Sequence, residues 1–141
     1  MIEKVISIDI YNIDILFVVS SKKELKQVIR KHLNEEDAED AYNVMIRDIE
    51  DNTLGRSAFL NSGQTVLWVK NADDKGTIAH EIFHIACYIM ERSGISLCHK
   101  SDEAYAYLIG YITNKVNDVL DSFCNIPLQQ CFIDEQKLSK T

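Results

Sequence analysis

Residues 78–90 are apolar apart from three: His80, Glu81 and His84. No other stretch constrains the fold so tightly. Read as a helix, it is apolar nearly all round, and such a helix requires burial by other layers. The three exceptions spell H-E-x-x-H. On a helix, residues four apart lie on one face, about 40° from overlap. The imidazoles of His80 and His84 can therefore reach one metal ion, while Glu81 on the adjacent face can reach a water bound to it. Burying two histidines and a glutamate costs on the order of several kcal/mol unless they are paired or metal-bound. The plainer reading is two hydrogen-bonded core histidines and a paired glutamate.

A chain of 141 residues is large enough to bury such a helix in a single domain, 1–141. The formal charge of −7 and the lack of a basic stripe argue against a nucleic-acid partner. Lys22, Lys23 and Lys26 cluster around Glu24 and read as a solvated helix face. No run approaches the roughly 18 apolar residues of a membrane span. The first residues mix acidic side chains into their apolar stretch and lack a small-residue cleavage site, so no signal peptide is expected. Cys87, Cys98, Cys124 and Cys131 show no C-x-x-C pairing. Reduced thiols in a cytoplasmic setting, with no membrane partner, are the expectation.

The expected architecture is α+β: antiparallel strands or hairpins and about four helices, the motif helix being followed by a second long one. Residues 5–19 read as two strands. A tight turn at Tyr11-Asn12 puts Ile6, Ile8, Ile10, Ile13, Ile15 and Phe17 on one face, and sets Asp9 opposite Asp14. One long bent strand is the alternative. Ser21 with Glu24 forms a capping box for a helix whose stripe is Leu25, Val28, Ile29, His32 and Leu33. Asn34 caps the next helix, with a stripe of Ala38, Ala41, Tyr42, Met45 and Ile49. Residues 57–60 and 64–69 form a hairpin through Asn61-Ser62-Gly63. Asp73 or Asp74 caps the motif helix, which runs to Arg92 and stops at Gly94. Ser101 or Asp102 starts the last helix, with a stripe of Ile109, Ile112, Val116, Val119, Leu120 and Phe123, stopped before Pro127. The tail from Leu128 is weakly patterned.

A catalytic zinc takes three protein ligands and keeps one open position. The metzincin continuation is excluded, because Cys87 stands where its glycine belongs and Met90 where its histidine belongs. Downstream, Glu103 is the carboxylate that opens the next apolar helix, with eighteen residues between it and His84. Its competing role is to stabilise its own helix dipole. His99, in the connection, is the rival third ligand. Cys87 shares a face with the two histidines and reads as a packing thiol.

H-E-x-x-H, a short connection, then Glu103-Ala104 on a following helix resembles the gluzincin zinc metallopeptidases. The resemblance covers residues 77–112, about a quarter of the chain. The compact size is also similar to small zinc peptidases of bacteriophage and bacterial genomes, and the glutamate-alanine helix to minimal regulatory peptidases that cleave repressors. The resemblance implies a zincin-like domain in which His80, His84 and Glu103 bind Zn2+ and Glu81 is the general base. It implies a protein or peptide substrate, added as a strand to the one preceding the motif helix, residues 64–69. Larger gluzincins often carry an aspartate one turn after the third ligand; here Tyr107 stands there.

Peptide hydrolysis also needs a donor for the developing oxyanion. Helix spacing makes Tyr107 the candidate, one turn from Glu103, with Tyr88 and His99 behind it; Tyr105 points nearly opposite and reads as core. Two other functions fit the same residues: a non-catalytic zincin-like module that binds a partner, and a regulatory peptidase that needs an activating partner.

Overall fold

A computed structural model describes residues 1–124. The stop before Pro127, the tail from Leu128 and Cys131 lie outside the described residues. The chain is α+β, with β1 (Ile2–Ile8), β2 (Ile13–Val19), α1 (Lys22–His32), α2 (Glu35–Ala41), β3 (Gly55–Phe59), β4 (Thr65–Val69), α3 (Lys75–Arg92) and α4 (Asp102–Cys124). The four strands make one sheet in the order β1-β2-β4-β3. Both expected hairpins are present and antiparallel, but they are joined through a parallel pair, β2 with β4.

The first hairpin forms two residues out of the expected register. Ile8 pairs with Ile13, and Asp9 to Tyr11 make a single 3-10 turn closed by Asn12 in the left-handed region. A slip of two residues keeps every side chain on its face, so Ile6, Ile8, Ile13, Ile15 and Phe17 remain buried together. Ile10 is the exception, 82% exposed at the turn. The slip also removes the carboxylate clash. Asp14 faces Ser7 instead of Asp9, and the Ser7 hydroxyl donates to it at 2.7 Å.

β2 lies between two strands and under two helical layers, which explains why its sequence is apolar at nearly every position. Ile13, Ile15, Phe17 and Val19 face α3 and α4; Leu16 and Val18 face α1 and α2. α1 carries the expected capping box, with Ser21 N–H donating to Glu24 Oε2 at 2.9 Å and Glu24 N–H to Ser21 Oγ at 3.2 Å. Asn34 caps α2 by accepting from Asp37 N–H at 2.8 Å. After Ala41 the helix widens into one π turn, Tyr42–Ile46, and the wider turn rotates the stripe. Ile46 is buried beside Met45 and Ile49, while Tyr42, expected inside, is 47% exposed.

Asp74 caps α3, and Gly94 ends it with φ +77°. Gly94 N–H donates to Glu91 O and Ile95 N–H to Met90 O, both at 2.9 Å, a Schellman motif. α4 packs beside α3 on the same sheet face through Tyr105, Leu108, Ile112, Val116 and Leu120. Phe123, expected in that stripe, is exposed. No helix among the described residues is long and apolar enough to cross a membrane.

One expectation about α3 is overturned. It is buried on one side only, through Ile78, Glu81, Ile82, Ile85, Ala86, Ile89 and Met90, while Ala79, His80, Phe83 and His84 are exposed. The sheet and α4 cover part of the helix, and no further layer among the described residues covers its outer side. An apolar composition therefore did not translate into burial all round.

Candidate metal centre and substrate groove

α3 is aimed by the hairpin that precedes it. It returns across the sheet alongside β3, touching it near both ends. At Gly55 a Cβ would meet Thr77 Cγ2 at 2.5 Å, so only glycine allows this approach of helix to strand. Further along, Phe59 stacks on Tyr88 with ring centroids 4.0 Å apart. Between these contacts the Ser57 hydroxyl donates to Glu81 Oε2 at 2.8 Å. Glu81 is 7% exposed, the one buried carboxylate among the described residues.

The two histidines stand one turn apart on the open side of the helix. Their Nε2 atoms converge to 3.1 Å, with ring planes 76° apart. Such a pair can share one hydrogen bond between unlike tautomers, or both nitrogens can be turned on a single cation. Two imidazole nitrogens 3.1 Å apart are close enough to supply half of a tetrahedral zinc shell.

The other expected ligand is not joined to them. Among the described residues no three His, Cys, Asp or Glu side chains form a group able to hold a metal ion. Glu103 is exposed on the first turn of α4, its own N–H donating to Asp102 Oδ1 at 2.8 Å. His99 is exposed in the connection between the helices. Cys87 is half-buried, and burial, aided by the Glu91 carboxylate, pushes its thiol above the ordinary value.

A cavity of about 810 Å³ lies between β3 and α3, lined by Glu81, His84, Cys87, Tyr88 and Glu91 on the helix side and by Arg56 and Ser57 on the strand side. Tyr107 is not part of it. That side chain is 79% exposed and borders a separate, mostly apolar depression with Ile10 and Tyr111. Of the tyrosines considered for an oxyanion donor, Tyr88 is the one that lines the cavity, and its hydroxyl accepts from Arg92 at 3.1 Å. Tyr105 is buried as expected, donating to Ile95 O at 2.7 Å; burial raises its pKa.

The strand expected to receive a peptide is corrected by the sheet order. Within residues 64–69, Thr65–Val69 form β4, flanked by β2 and β3, so β4 has no free edge. Among the described residues the free edge beside the cavity belongs to β3. Sequence reasoning missed this because the parallel pairing of β2 with β4 is non-local. It also missed Ser57, whose link to Glu81 spans 24 positions. The available hint was the strand pattern, which places Gly55, Ser57 and Phe59 on one face. No protein-family model, curated protein or solved structure matches the chain.

Proposed function

We propose that the chain is a zinc-dependent peptidase acting on protein substrates. The convergence of His80 Nε2 and His84 Nε2 on the helix that carries the buried Glu81, with Glu81 and His84 lining a groove beside a strand edge unpaired among the described residues, carries the reading. His80 and His84 would hold the metal, with Glu103 proposed as third ligand from the resemblance. Zinc bound there would supply a water acidified toward neutrality and a Lewis acid for the scissile carbonyl. Glu81 takes the water's proton on its carboxylate and passes it to the leaving amine. Ser57 engages one carboxylate oxygen, Oε2. An extended peptide pairs along β3, which aligns its carbonyl over α3. The oxyanion donor is proposed to be Tyr107 by helix spacing or Tyr88 by its place in the cavity.

One observation favours a second reading. With no third donor grouped with the histidines among the described residues, the groove would serve equally as a non-catalytic partner-binding surface. Metal content separates the two. The peptidase should hold about one zinc per chain, lost in His80→Ala and in Glu103→Ala but kept in His99→Ala. Metal-free protein, or zinc indifferent to His80, would overturn the peptidase reading. Zinc lost in His99→Ala and kept in Glu103→Ala would move the third ligand to His99.

A further inference from the structure

The Glu81 carboxylate is buried, yet its one side-chain hydrogen bond among the described residues comes from the sheet and not from its own helix. The donor, Ser57, is the middle residue of β3. Gly55 on one side of it admits Thr77, and Phe59 on the other stacks on Tyr88. The hydroxyl is thus pinned between two contacts that fix the strand against α3. The outer carboxylate torsion of glutamate is broad and has no strong intrinsic minimum. Tying Oε2 at 2.8 Å removes that freedom and leaves Oε1, which has no side-chain partner among the described residues, as the free acceptor.

We propose that Ser57 is the positioning residue for Glu81, locking the base from the same strand that receives the substrate. This rests on the reading of Glu81 as the general base. The hydroxyl keeps its proton throughout; it orients the carboxylate and takes no part in proton transfer. Placing the tether on β3 also couples two alignments. A peptide registered along the β3 edge is thereby registered against the carboxylate, because one strand sets both distances.

The test compares wild type, Ser57→Ala, Ser57→Thr and Glu81→Gln for zinc content, for the saturated rate on fluorescein-labelled casein, and for infrared carboxylate bands in protein carrying 13C-glutamate. Ser57→Ala should keep its zinc and lose about tenfold to a hundredfold in rate. Ser57→Thr should recover the rate to within a few-fold. The carboxylate band should shift in Ser57→Ala and return in Ser57→Thr, a response to the hydrogen bond that a merely structural role would not give. Should alanine unfold the chain, Ser57→Thr against Ser57→Val asks the same question, since the two side chains are isosteric and differ in the hydroxyl. A wild-type rate or an unshifted band in Ser57→Ala, beside an inactive Glu81→Gln, overturns the positioning role and leaves the base reading standing. An active Glu81→Gln overturns both.

Discussion

Among the described residues, β1 and β3 each leave one side of their backbone unpaired, at opposite edges of the same sheet. Their side chains differ. β1 carries two adjacent charges, Glu3 and Lys4, and Glu3 is held by Lys31 at 2.6 Å and His32 at 2.8 Å from α1. Charges on an outer strand discourage another chain from adding to it. β3 carries one charge, Arg56, and borders a cavity of about 810 Å³ that holds a buried carboxylate. Both edges even have a histidine beside a glutamate. At β1 the His32–Glu3 contact is an exposed surface pair; at β3 the glutamate is buried and the histidines converge on each other. The same residue types are therefore arranged differently at the two edges.

Four experiments test that contrast. The largest effect is expected from Glu81→Gln, which should lower hydrolysis of labelled casein by about 10²–10⁴-fold while leaving zinc content unchanged. Full activity would leave the β3 edge with no more chemistry than the β1 edge. Next, His84→Ala should take bound zinc from about one per chain to near zero by elemental analysis, whereas His32→Ala, at the guarded edge, should not change it. Equal losses would mean that metal binding is not localised at α3. A substitution in the core that both edges share should not discriminate between them. Trp68, buried with its indole N–H donating to Ser20 O at 3.0 Å, is such a site. Trp68→Ala should cost about 3–5 kcal/mol in urea unfolding, with both edges lost in one transition. Separate transitions would show that they fold independently.

The smallest effect belongs to Glu3. Its carboxyl is held below the ordinary value by hydrogen bonds from Lys31 and then from His32. A depressed folded pKa gives stability that is present above the unfolded value and is lost as pH falls through the folded one. Glu3→Gln should therefore flatten the acid limb of the stability profile slightly, and alter midpoint stability at neutral pH less than Trp68→Ala does. Thermal melts across the acid range would check it. A steeper acid limb would contradict the pairing.

Much of the molecule could be read from local pattern. The caps at Ser21, Asn34 and Asp74, the turn at Gly63 and the stop at Gly94 all lie where residue chemistry within a few positions dictates them. The convergence of His80 and His84 followed from helix geometry alone. Other features depended on competition between distant parts. The first hairpin could pair in two registers with the same buried face, and the Ser7–Asp14 bond accompanies the one observed. Widening the turn after Ala41 exchanged Tyr42 for Ile46 in the core. Neither preference is visible in hydrophobic periodicity, because both alternatives satisfy it.

Local pattern alone was enough for an α+β fold whose third helix carries two convergent histidines and a glutamate. These are short-range properties, set by 3.6-residue and two-residue periods and by capping chemistry. Long-range packing set the rest: the histidines face outward while the glutamate is buried, β3 and not β4 holds the edge left unpaired among the described residues, and Ser57 grips Glu81 from across the groove. Those outcomes turn on which surfaces the sheet and α4 leave uncovered. That depends on packing between segments far apart in the chain, which local periodicity does not encode.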